Sequence, residues 1–226
     1  MPLDRAPIAR LLLCSSDTEK LEPLHQRFNA AGIEVDCTTR AEEACELMWK
    51  QHYDGVAVDL LLSDRDGISF ALELRQDHPW LPVLVISTTL HAQRLDRGPD
   101  WLARSADHAR LIFALKQAGQ RSAGRAPRIL HVEDDDDLAS LVQNTIGKQT
   151  RLFRARSAQE ARIAMALRDY DLALIRTHIA EGNTGLTETA SRKTPLYIDT
   201  GNGTDPVVTI LNNLRRSPFV HQPAYC

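Results

Sequence analysis

The chain has 226 residues, 43% hydrophobic and 25% charged, enough for one large or two small globular domains and too apolar for a disordered segment. Its 27 basic and 30 acidic residues leave a formal net charge of −3, which excludes a global basic field for nucleic acid or anionic lipid. No apolar run approaches the roughly 18 residues of a membrane span, and Arg10 cuts the only early apolar stretch, Ile8 to Cys14, short of a signal peptide's core.

In chain order, Leu11–Cys14 is a short apolar run that predicts a strand, and Glu19–Ala31 sets Leu21, Leu24 and Phe28 at helical spacing. Ala41–His52 does the same with Ala44, Leu47 and Met48, and Val56–Val58 and Val83–Ile86 predict two further strands buried on both faces. His91–Asp100 is polar and broken by Gly98-Pro99, which predicts at most a short or irregular helix. Gln117–Pro127, rich in Gly, Ala and polar residues, reads as a linker.

The pattern then begins again. Arg10-Leu-Leu-Leu aligns with Arg128-Ile-Leu-His, 118 residues later, and Tyr53-Asp-Gly-Val with Tyr170-Asp-Leu-Ala, 117 later. Leu81-Pro-Val-Leu aligns with Thr194-Pro-Leu-Tyr, 113 later, so the second copy has lost about five residues. Four cysteines (Cys14, Cys37, Cys45, Cys226) show no CxxC pair, and eight scattered histidines show no metal-binding spacing. Reduced thiols and a cytoplasmic location are the expectation. The run Asp135–Asp137 precedes Leu138, Leu141 and Val142 at helical spacing and predicts a helix N-cap. Arg151, Arg154, Arg156 and Arg162 predict a solvated face. Short strands alternating with helices imply right-handed βαβ units and an open, doubly wound α/β sheet, with functional residues just after the strands.

Those residues carry a family resemblance. Asp59-Leu-Leu-Leu-Ser-Asp-Arg-Asp-Gly67 is similar to the phosphoacceptor segment of response-regulator receiver domains, and the likeness runs in order through residues 8–118. It is weaker over 128–216. The resemblance implies two flavodoxin-like (βα)5 domains, at 8–118 and 128–216, the second truncated after its fourth strand. A linker would occupy 119–127 and a tail 217–226.

The same resemblance implies that Asp59 accepts phosphate, with Ser87 and Arg104 beside the phosphoryl group, Arg104 at the end of a fifth strand. The family holds Mg²⁺ with an acidic pair after its first strand; Ser15 and Ser16 stand there instead, which leaves at most weak Mg²⁺ binding near Asp59. Asp17, one residue on, is a lone carboxylate. The second copy keeps the acids as Glu133 and Asp134 but places Arg176 at the acceptor position, with Thr200 at the hydroxyl position. A guanidinium beside two carboxylates implies an internal counterion in a degenerate site.

These readings point to a phosphorelay protein without an output domain, rather than a substrate-converting enzyme. Its expected partners are a histidine kinase or phosphotransfer protein, or another regulator, with neither nucleic acid nor membrane. The alternative is a phosphorylation-independent pseudo-receiver scaffold. The truncated second sheet leaves an apolar edge that needs cover, from the first copy or from a second chain in a homodimer.

Overall fold

The computed structural model describes residues 9–87, 100–121, 125–146, 150–176, 196–199 and 211. The first half alternates strands β1 (Arg10–Cys14), β2 (Glu34–Thr38), β3 (Gly55–Asp59) and β4 (Val83–Ser87) with helices α1 (Thr18–Ala30), α2 (Ala41–Lys50) and α3 (Gly67–Asp77). A 22-residue helix, α4 (Asp100–Arg121), then leads to β5 (Arg128–Val132), α5 (Asp136–Ile146), β6 (Arg151–Ala155), α6 (Ala158–Leu167), β7 (Leu172–Arg176) and β8 (Leu196–Asp199).

The eight strands among the described residues form one sheet in the order β2-β1-β3-β4-β8-β7-β5-β6, and every adjacent pair is parallel. The order of the first four, read inward, repeats in the last four. The same tie anchors the first strand of each half. Asp54 accepts from the Arg10 amide at 2.9 Å and donates its own amide to the Arg10 carbonyl; Asp171 does both with Arg128, at 2.7 Å each. The fold class is thus as expected, α/β with a doubly wound parallel sheet.

The two halves meet along β4 and β8, from Leu84 opposite Leu196 to Ser87 opposite Asp199. This is the cover that the truncated sheet requires, and it comes from within the chain. It also corrects the expectation of a five-stranded first domain: among the described residues each half supplies four strands, and each half's fourth strand takes the place of the other's fifth.

Alternate residues of the strands feed two cores. On one face β1 sends Leu11 and Leu13 to meet Leu24 and Phe28 of α1, with Ala161 and Met165 of α6 and Leu211 in the same cluster. On the other, Leu12 and Cys14 join α2, α3, α4 and α5 through Ala44, Phe70, Leu115 and Val142. The first helix of each half therefore lies on the opposite face from its counterpart. That inversion follows from joining two right-handed units through equivalent strands. Leu211 falls in the run 205–214 that the sequence leaves open as a fourth or fifth helix. It is buried on the α6 face, while the rest of that run and the tail 217–226 lie outside the described residues.

Local sequence sets the element ends. Gly32, at φ 77, stops α1: its amide bonds Asn29 and the next amide, Ile33, bonds back to Phe28. Only glycine takes that left-handed position without strain. α4 is longer than expected and runs three residues into the predicted linker. Gly119 does not end it, because Ala118 is buried and Arg121 pairs with the buried Asp66 at 3.3 Å. Arg104 lies within this helix and not at the end of a strand. With β8 already bonded to β4, a strand at 101–105 has no edge beside β4 to pair with.

Candidate functional site

With every strand parallel, all carboxyl ends share one rim, where doubly wound folds build their sites. Asp59 ends β3 there and is fully buried. The loop that follows is built to hold it. The Leu60 amide donates to Asp59 Oδ1 at 2.7 Å, and the Gly67 amide returns to the Leu60 carbonyl at 2.8 Å. Asp66 caps α3 by accepting the Ser69 amide at 2.7 Å. A Cβ on Gly67 would stand 1.8 Å from the Asp59 carbonyl oxygen, so the close approach of α3 to β3 requires glycine.

Asp64, in the same loop, reaches sideways to the start of α2 and accepts the amides of Ala41 and Glu42 at 2.9 and 3.1 Å. Burial works against its charge, but those amide donors prevail and hold its carboxyl below the usual range. The acceptor-like loop therefore also caps a neighbouring helix that has no side-chain cap of its own.

Two side chains close on the Asp59 carboxylate. Ser15 is fully buried after β1, fixed by its amide to the Thr38 carbonyl at 3.0 Å, and its hydroxyl donates to Asp59 Oδ2 at 2.6 Å. Arg110, one turn before the buried Ala114 on α4, brings Nη2 to 3.2 Å from Oδ2 and 3.4 Å from Oδ1. Its side chain is 23% exposed, so this is a mostly dry ion pair. Ser16 is exposed and uses its amide on the Leu61 carbonyl. Asp17 starts α1 by accepting the Leu21 amide at its carbonyl, while its own amide bonds Ser15 Oγ at 3.2 Å.

This arrangement does not fit a divalent ion. A hard cation such as Mg²⁺ needs carboxylate or other free oxygen ligands. Here the nearest hydroxyl carries no charge and its oxygen already accepts the Asp17 amide at 3.2 Å, while a guanidinium faces both carboxylate oxygens of Asp59. Among the described residues no three of His, Cys, Asp and Glu are grouped to hold a metal.

The Glu133 amide bonds the Ala155 carbonyl of β6 at 2.9 Å, as the Ser15 amide bonds the Thr38 carbonyl of β2. Glu133 is buried, and its Oε1 accepts the Asp135 amide at 2.9 Å. Asp135 caps α5 through the amides of Asp137 and Leu138, as the sequence predicts. Asp134 is exposed beside them. Arg176 ends β7 opposite Asp199, at the register position that matches Asp59. The side chains of Arg176 and Ser87, and the whole of Thr200, lie outside the described residues.

Sequence reasoning missed two arginines. Arg154 is not solvated: it donates to the Glu133 carbonyl at 3.1 and 3.2 Å and pairs with Asp136 at 2.5 Å. That contact, aided by Arg156, holds the Asp136 carboxyl below its ordinary value. Arg110 lies 51 residues from Asp59, on the flank of the apolar series Leu111, Ala114, Leu115 and Ala118. Its position beside such a series was the available signal. Cys14, Cys37 and Cys45 are free thiols, and burial pushes Cys37 up to about 11 and Cys14 higher still, so neither is a ready nucleophile. Among the described residues no helix is long and apolar enough to cross a membrane.

Residues 11–98 match the response regulator receiver domain family. The transcriptional regulatory protein BasR of Escherichia coli (strain K12) is 33% identical over 116 residues, covering 50% of each chain, so this chain spans half the length of that relative. A sensor protein from Polaromonas sp. JS666 is 29% identical over 40% of this chain and 74% of its own, with a TM-score of 0.34. The response regulator protein TrrA from Thermotoga maritima, solved in complex with Mg²⁺-BeF, is 20% identical over 44% of this chain and 96% of its own, also with a TM-score of 0.34.

Proposed function

From the match of residues 11–98 to the response regulator receiver domain, we propose that the chain is a signalling protein of two fused receiver-type units that works by binding another signalling protein, without phosphoryl transfer at either unit. A receiver is a signalling domain rather than a substrate-converting enzyme. One observation carries the reading. Asp59 is fully buried, and both its carboxylate oxygens are engaged by Ser15, Arg110 and the Leu60 amide.

A carboxylate held in this way is a poor nucleophile, because attack on phosphorus needs a free lone pair and a cation to neutralise the incoming charge. The second unit is supported as a receiver relative by its repeated strand order and by the Asp171 tie that repeats Asp54. Arg176 at its acceptor position cannot take a phosphoryl group. The partner we propose is a histidine kinase, a phosphotransfer protein or another regulator.

The test is incubation of the full chain with acetyl phosphate, with and without Mg²⁺, followed by detection of acid-labile phosphate. No label is expected. Label on the wild type that disappears in Asp59→Ala overturns the reading and establishes the alternative, a phosphorelay in which Asp59 is the acceptor. That alternative is favoured by the Asp66-Gly67 turn, which keeps Asp59 presented at the end of β3.

A further inference from the structure

Arg110 is absent from the segment that matches the receiver family and comes from the helix that joins the halves. Its guanidinium lies 3.2 and 3.4 Å from the two Asp59 oxygens, close enough for an ion pair with a carboxylate that is itself fully buried. Three further observations fix it there. α4 is anchored beneath it by the buried Leu111, Ala114, Leu115 and Ala118, and at its end by Arg121 on Asp66. α4 also packs between α3 and α5, so it is held from both halves. Ser15, where an acidic ligand would sit, presents a proton to Asp59 rather than a charge to a metal.

We infer that Arg110 is the resident counter-cation of Asp59 and that it excludes divalent metal ions from this site. Neutral hydroxyls at Ser15 and Ser16 suit that arrangement. The Arg110 guanidinium offsets the Asp59 carboxylate, whereas a further carboxylate at position 15 would add negative charge to a buried place. A divalent ion entering beside the guanidinium meets like charge at short range. The metal-free balance bears on the same site as the function proposed above but stands apart from it, since Asp59 can be unphosphorylated with or without a metal.

The experiment is isothermal titration calorimetry of the full chain with MgCl₂ alone. The wild type is expected to give no saturable heat across the millimolar range. Ser15→Asp alone is expected to bind Mg²⁺ at least about tenfold more weakly than Ser15→Asp combined with Arg110→Ala, and adding Asp59→Asn should abolish that gain. Saturable binding by the wild type that Asp59→Asn removes overturns the inference. So does equal binding by the single and double variants, or a folded double variant that takes up no Mg²⁺. Should the double variant fail to fold, the wild-type titration decides: heat lost with Asp59→Asn refutes the inference and its absence sustains it. Phosphate labelling does not enter this readout, so the two proposals fail separately.

Discussion

Arg110→Ala is the most direct probe of how the first half balances its buried charge. The substitution removes a guanidinium whose side chain is 23% exposed from a carboxylate with no exposure. Breaking a fully buried ion pair costs about 3–5 kcal/mol. Two features lower that figure here. Contacts at 3.2 and 3.4 Å are long for a charge-assisted bond, and Asp59 keeps its donors from Ser15 and Leu60. A loss of about 2 kcal/mol is therefore expected, which for a chain of this size lowers Tm by roughly 4–8 °C. Urea unfolding followed by circular dichroism at neutral pH measures it. Asp59→Asn in the same background should recover part of the loss, giving a coupling of at least about 1 kcal/mol in the double-mutant cycle. Arg110→Ala at wild-type stability, or a cycle with no coupling, would refute the idea that the guanidinium compensates Asp59.

Gly67→Ala should cost about 3 kcal/mol, since the new methyl group meets the Asp59 carbonyl and backbone must move; urea titration reads it, and a neutral result would contradict the close approach of α3 and β3. Asp64→Ala should lose about 1 kcal/mol at neutral pH by uncapping α2. Because the folded-state carboxyl of Asp64 is depressed, its contribution is present above the ordinary carboxylate range and lost as pH falls through the lowered value. The stability gap between wild type and Asp64→Ala should thus close on acidification, and a gap constant with pH would exclude a charged cap. The seam between β4 and β8 predicts a single cooperative thermal transition for both halves in calorimetry; two separated transitions would show that they fold independently. A fragment ending at Arg121 leaves the inner edge of β4 unpaired and should self-associate in size-exclusion chromatography, and a stable monomer would count against the shared-sheet account.

Much of this architecture is legible in the amino-acid order. The apolar runs at Leu11–Cys14, Val56–Val58 and Val83–Ile86 are strands, and the repeat beginning at Arg128 reproduces their arrangement. Ser15 beside Asp59, and Asp135 as a cap, follow from position relative to a strand end and a helix start. What was hidden depended on contacts across the chain. The family resemblance at Arg104 cannot know that the edge of β4 is already taken by residues 196–199, so it implies a strand where the chain forms α4. Arg110 and Arg154 look like ordinary surface charges until the fold sets them over Asp59 and Glu133. Gly119 reads as a breaker, yet the packing of Ala118 and the Arg121–Asp66 pair outweigh the roughly 1 kcal/mol that glycine costs within a helix.

The uniform strand direction has a geometric consequence. Asp59 on β3 and Arg176 on β7 end on one rim with only β4 and β8 between them, three interstrand steps or about 14 Å apart. A protein contact of ordinary size hides about 800 Å² on each side, a footprint roughly 30 Å wide. Anything that settles on this rim therefore overlies the ends of both β3 and β7 in one encounter, so the two halves meet a visitor as one surface.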